Sequence, residues 1–153
     1  MAVVSAGPTF SDRAAEALYI EALLLADETH AYYDSAGRAE RESLAPPARV
    51  QFACEALKAT TRLMHVISWL ALRRAIAAGE VAEGNPSLPE RRLGESTPSD
   101  PGVLGALPTA ARRLIMAGMD LHARASRMAE GIDSPVSIGS PARTLIQRLE
   151  RAF

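Results

Sequence analysis

The chain has 153 residues, a net charge of −1 and 48% hydrophobic content, which suits one globular domain and is too apolar for a disordered chain. The balanced charge argues against generic binding to nucleic acid or to anionic membrane, both of which need a basic surface. A single cysteine, Cys54, excludes an intramolecular disulfide and a cysteine-based zinc site.

Residues 1–9 read as an arm with no basic region followed by an apolar core, so no signal peptide is expected. The most apolar later stretch is interrupted by Arg62, His65, Arg73 and Arg74, which rules it out as a membrane span. The expected location is the cytoplasm.

A first helix is predicted over about 11–34. Thr9 and Asp12 fit a capping-box pattern at its start. Ala15, Leu18, Ala22, Leu25, Thr29 and Tyr32 recur at steps of three and four, the helical period rather than the strand period of two. Gly37 falls in the loop expected to stop this helix, and the segment up to Ala45 is polar and short.

Pro47 is suited to open a second helix, since the N–H it lacks would be unbonded there anyway. The pattern then runs over about 47–79, about 48 Å of helix at 1.5 Å per residue. Leu57, Thr61, Met64, Ser68, Ala71, Ala75 and Ala78 form a heptad stripe, read as its core face. The C-terminal half is apolar nearly all round: Leu63, Met64, Val66, Ile67, Trp69, Leu70, Leu72 and Ile76. A helix apolar on every side has to be covered on every side, so a second protein surface is expected there. Gly79 fits a helix C′ position.

The linker 81–106 carries four prolines and four glycines and cannot be one regular element. It is either a crossover packed along the bundle or a mobile segment. A third helix is predicted over about 108–130, with Leu107, Ala111, Leu114, Gly118, Leu121, Ala125 and Met128 in register. Gly118 costs about 1 kcal/mol relative to alanine inside a helix, and a close helix crossing there would offset it. Residues 131–153 form a tail, in which Leu145, Ile146, Leu149 and Phe153 can share one side of a short final helix. The fold class is all-α: an antiparallel three-helix bundle over 10–130 with a long central helix.

No catalytic, cofactor-binding or metal-ligating constellation emerges. Asp27 and His30 share a helix face, as carboxylate–histidine pairs do in di-iron bundles, but no second such pair accompanies them. Cys54 has no histidine partner and sits beside Glu55, which discourages the thiolate. His65, beside Trp69, reads as a packed, hydrogen-bonded histidine. Arg112 and Arg113 lie near a helix start, where the dipole disfavours them, so an acidic group is expected to meet them. The expected partner or dimer interface comprises Trp69, Leu72, Arg73, Ile76, Arg112 and Arg113. The residues thus describe a helical, associating, non-enzymatic protein. Its rivals are a bundle enzyme or metal protein using Asp27, His30, Glu16, Glu21 and Glu55, a self-associating structural protein, and a nucleic-acid binder acting through its arginine pairs.

The segment containing Thr60, Thr61, Arg62, Leu63 and Met64, then Ser68, Trp69 and Leu70, then Arg74, Ala75, Gly79 and Glu80, resembles the signature of the DUF1465 family. Leu18–Tyr19, Tyr32–Tyr33, Leu107–Pro108 and Leu121 with Arg124 are weaker matches on the flanking helices. That family contains the regulators of CtrA degradation of alphaproteobacteria. The resemblance implies a homodimeric three-helix bundle that works as an adaptor. Its implied partners are a ClpX-type unfoldase, a response regulator and protease cargo in cell-cycle control, with no cofactor, nucleic acid or membrane. His122, where tyrosine is commoner, and a partly helical tail depart from the family pattern.

Overall fold

The computed structural model describes residues 7–133, so the short final helix expected over 143–153 lies outside the described residues. α1 spans Phe10–Asp34, α2 Ala36–Glu42, α3 Pro46–Ala77, α4 Pro101–Ala106 and α5 Thr109–Asp133, with a 3₁₀ turn at Pro89–Arg91. The described residues contain no strand. α1, α3 and α5 pack together as a helical bundle.

Local chemistry sets the helix ends. Thr9 Oγ1 accepts from Asp12 N–H at 3.1 Å, and Asp12 Oδ2 accepts from Thr9 N–H at 2.9 Å. This capping box satisfies two N–H groups that helix geometry would leave unbonded. At the far end of α3, Gly79 takes a positive φ of 75°, and Glu80 N–H reaches back to the Ala75 carbonyl at 2.9 Å. That six-to-one bond closes the helix, and the left-handed residue it needs is naturally glycine.

Two helices occupy segments read as loop. α2 is built from AGRAERE, whose alanine, arginine and glutamate are good helix formers. Gly37, placed in a loop by the sequence, lies inside α2 against Tyr32: an added Cβ would sit 2.8 Å from the Tyr32 carbonyl and 2.9 Å from its ring. α4 opens on Asp100–Pro101, where Asp100 Oδ1 accepts from Gly102 N–H at 2.7 Å. An aspartate cap followed by proline at the first helical position is a readable start signal.

The core has two centres. One gathers Ala15, Leu18 and Ala22 of α1 with Val66, Trp69 and Leu70 of α3 and Leu121 and Ala125 of α5. The other joins Tyr32 to Phe52, Ala59, Leu107, Ala111 and Leu114. These pairings run α1 antiparallel to both α3 and α5, whereas α3 and α5 point the same way. A short loop forces neighbouring helices antiparallel, and a long connection frees the next helix to run parallel. Here the segment between α3 and α4 is that connection, a packed crossover returning along the bundle.

The α1 and α5 stripes face the core as their spacing predicts: Ala15, Leu18, Ala22, Thr29 and Tyr32 are buried, as are Ala111, Leu114, Leu121 and Ala125. α3 does not follow its predicted phase. Leu57 is 69% exposed and Met64 61% exposed, and the buried face is Phe52, Glu55, Ala59, Arg62, Leu63, Val66, Trp69 and Leu70. The period was right and the phase wrong, because α3 is apolar on more than one side and two charged residues point inward. At Gly118 no atom lies within 4 Å of an added Cβ, so no close crossing accounts for that glycine.

Candidate interaction surface

A third stripe on α3, at steps of three and four from Glu55 through Lys58, Arg62, His65, Trp69 and Leu72 to Ile76, carries the crossover. Its first half is polar and grips backbone. Arg62 donates from Nε to Ser96 Oγ at 2.6 Å and from Nη2 to the Thr97 carbonyl at 2.9 Å. Lys58 Nζ bridges Glu55 Oε1 at 2.8 Å and the Pro98 carbonyl at 3.2 Å, and Ser99 Oγ donates to Glu55 Oε2. His65 Nδ1 meets the Glu95 carbonyl at 2.9 Å, and His122 Nε2 of α5 meets the Gly94 carbonyl at 2.8 Å.

The register has a simple basis. From Glu55 to His65 a helix advances about 15 Å, and from Glu95 to Ser99 an extended chain advances about 13 Å. An extended segment can therefore run antiparallel to α3 with its partners in step. Gly94 permits the close approach to His65, since an added Cβ would fall 2.4 Å from His65 Cγ. Arg62 is only 1% exposed. Burial lowers the guanidinium's pKa and the nearby Glu55 carboxylate opposes this; an arginine stays charged in such a setting.

The second half of the stripe is apolar and lies under the same crossover. Trp69, Leu72, Arg73 and Ile76 are grouped with Glu83, Pro86, Arg91, Arg92 and Leu93, and Arg73 pairs with Glu83 at 2.9 Å. Trp69 is 5% exposed. Of the four α3 residues expected to form an interface, Trp69 is buried within this chain, and Leu72, Arg73 and Ile76 are half-buried beside the crossover. The crossover thus packs over one side of this apolar stretch, while Met64 on another side is 61% exposed.

The arginine pair of α5 separates. Arg113 meets Glu28 of α1 at 2.5 Å, which supplies the acidic partner expected for one member, while Arg112 is half-buried with no described ion pair. Arg74 binds Glu16 at 2.6 Å and lies 4.4 Å over the Tyr19 ring. Arg124 chelates Glu21, with Nη1 at 2.8 Å from Oε2. The Glu16 and Glu21 carboxylates weighed as metal ligands are therefore engaged with arginines. Asp27 and His30 are exposed, and among the described residues no group of three or more His, Cys, Asp or Glu is placed to hold a metal.

What remains open is the outer face of α3. Val50, Leu57 and Met64, seven residues apart, are 63%, 69% and 61% exposed. Gln51, Ala53, Cys54, Thr60, Thr61 and Ser68 complete this face. None of the exposed residues from Val50 to Ser68 carries a charge, whereas a solvated helix face normally does. Beside it lies a groove of about 680 Å³ between α3 and α2, lined by Tyr33, Ala53 and Leu57 together with Arg38 and Arg41. The sequence reading missed this surface because it assigned Leu57 and Met64 to the core. The phase was recoverable only by recognising the polar stripe through Glu55 and Arg62 as an internal clamp.

The family model described as "Protein of unknown function (DUF1465)" matches residues 7–153. The chain belongs to the DUF1465 family. Among solved structures it is similar to RcdA from Caulobacter crescentus CB15, at 28% identity and a TM-score of 0.65, covering 88% of this chain and 98% of that one. No curated protein matches it. The family assignment agrees with the resemblance carried by Thr60–Met64 and Ser68–Leu70. Within this DUF1465 chain the signature segment does structural work: Arg62 clamps the crossover and Trp69 fills the core, while Thr61, Met64 and Ser68 remain outside. Among the described residues no helix is long and apolar enough to cross a membrane.

Proposed function

We propose that this protein is a non-enzymatic adaptor that works by presenting surfaces, and that the outer face of α3 pairs it with a second copy. The observation that carries this reading is the uncharged face through Val50, Leu57 and Met64. Apolar side chains held in water at heptad spacing on a long helix match a helix-to-helix seam. The likeness to RcdA supports the finer reading, in which the protein assists ClpX–ClpP-type regulated proteolysis in the cytoplasm, with a response regulator and protease cargo as partners. An adaptor raises the effective concentration of cargo at the protease by tethering both.

The test uses the full chain as bait and sedimentation in parallel. Leu57→Asp with Met64→Asp is the informative variant, because both side chains already face solvent and the fold should survive. Trp69→Asp is unsuitable, since it would place a charge in the core. The reading expects a wild-type dimer that retains an ATP-dependent unfoldase from lysate, and a folded monomeric variant. A wild-type chain that stays monomeric at high concentration and retains no unfoldase would overturn it.

A further inference from the structure

Gly37 and Glu40, three apart in α2, both face Tyr32. An added Cβ at Gly37 would press on the Tyr32 ring, and the Tyr32 hydroxyl donates to Glu40 Oε2 at 2.5 Å. These contacts seat α2 on the end of α1 and fix its rotation. Arg38 and Arg41, also three apart, then share the next side of α2 and line the groove against Ala53, Ala56 and Leu57 of α3. A second groove, of about 580 Å³, continues from Arg41 and Ala53 to Glu42, Arg49 and Val50.

The charge here is one-sided. Glu40 is taken by Tyr32, and Asp34 reaches Arg38 only at 3.4 Å, with both side chains exposed. Arg41 is exposed and makes no described ion pair. Arg49 gives its bonds to the Leu44 and Glu42 carbonyls at 2.8 Å each, so no carboxylate neutralises it. The first turn of α3 contains no acid, which leaves Glu42 as the one carboxylate in the lining of the two grooves. Between the arginines the surface is apolar. Val50 and Leu57 stand in water, Ala53 and Ala56 leave depth between them, and Tyr33 packs edge-on to Phe52 with ring centroids 5.6 Å apart, which makes the floor rigid.

We propose that the α2–α3 groove binds an acidic segment of another protein, which sets a large apolar side chain against Ala53, Ala56 and Leu57 and its carboxylates against Arg38 and Arg41. Charge complementarity selects this occupant. The planar guanidinium fork matches a carboxylate, and the alanines leave a place for an anchoring side chain, the feature that carries most binding energy at an interface. A second copy does not meet the same need: a two-fold interface is self-complementary, so a twin seated along α3 brings the same uncharged face and the same positive flank. The inference rests on the adaptor reading in taking this surface to face a protein, and it does not depend on the pairing of two copies.

The experiment offers the full chain to immobilised pools of random peptides of about twelve residues, about 18 Å if helical. One pool mixes Asp and Glu with Leu, Ile, Met and Phe. In the others the acids become Lys and Arg, the acids become Ser and Gln, or the apolar residues become Ser and Gly. The acidic–apolar pool alone is expected to retain the protein, and less of it as salt rises. Arg38→Glu with Arg41→Glu should weaken that retention about tenfold. Arg41→Glu alone, which breaks no described ion pair, should weaken it in part, and Ala53→Trp should abolish it by filling the groove. Leu57 borders the outer α3 face as well and is left intact.

Sedimentation of the same samples separates this inference from the pairing of copies. A monomeric wild type that still prefers the acidic–apolar pool would support the groove and reject the pairing. A dimer that captures an unfoldase yet prefers no pool would overturn the groove alone. Loss of the dimer in the arginine variants would assign Arg38 and Arg41 to a twin interface and overturn it too. So would equal retention by the acidic pool without apolar residues, or stronger retention by phosphatidylglycerol vesicles than by any peptide pool.

Discussion

Arg62 Nε lies 2.6 Å from Ser96 Oγ, joining the middle of α3 to a segment more than thirty residues later in the chain. With the bond to the Thr97 carbonyl, this buried guanidinium fixes where the crossover returns. Removing it leaves the crossover's polar groups unmatched and opens space. Arg62→Ala should cost about 3 kcal/mol, read as a lower urea midpoint, with faster amide exchange across 94–99. Arg62→Lys keeps the charge but not the planar fork, so an intermediate loss is expected. An unchanged midpoint for Arg62→Ala would remove the clamp from this account.

Two glycines should respond oppositely to alanine. At Gly94 the new methyl would collide with the His65 ring, and forcing the crossover outward should cost about 1–3 kcal/mol. At Gly118 nothing lies within 4 Å, and alanine should raise stability by about 1 kcal/mol through helix propensity. Thermal melting of the two variants beside the parent distinguishes these outcomes. A destabilised Gly118→Ala would show that backbone approach at that helix is closer than described.

Hydrogen bonds from Arg124 hold the Glu21 carboxyl below its ordinary value near 4.5. A depressed pKa in the folded state contributes stability above the unfolded value, and the contribution fades as pH falls through the folded one. The pair is largely solvated, so its worth is about 0.5 kcal/mol. Glu21→Gln should be less stable than the parent by that amount at neutral pH and equal to it in strong acid. Denaturant titrations across the acid range would show whether the two curves converge.

At alkaline pH the sign reverses. Burial, with a smaller contribution from the Glu55 charge, pushes the Tyr33 phenol up from 10.0 to about 12. A raised folded-state pKa contributes stability fully present below pH 10 and lost as pH rises toward 12. Absorbance titration should detect a phenol ionising about two units late, and Tyr33→Phe should reduce the alkaline loss of stability. A normal titration for every tyrosine would place Tyr33 in water instead.

The helices were legible wherever one face alone is apolar. α1 shows its stripe from Ala15 to Tyr32, and α5 shows its stripe from Ala111 to Ala125. A single apolar face leaves only one burial choice, so local periodicity suffices. The Thr9–Asp12 cap and the Gly79 stop were legible for the same reason, since each is decided within a few residues.

The sequence by itself determined the helical class, the length of α3 and the family. The tertiary structure alone decided the phase of α3, the parallel run of α3 and α5, and the surface left open. α3 has more apolar positions than the core can accept, so periodicity along that helix does not select a face. The selection comes from partners distant in sequence: Glu55 and Arg62 turn inward because Ser96, Thr97 and Ser99 are there to bind them. Buried charge requires such partners, and bringing them to α3 turns Leu57 and Met64 outward.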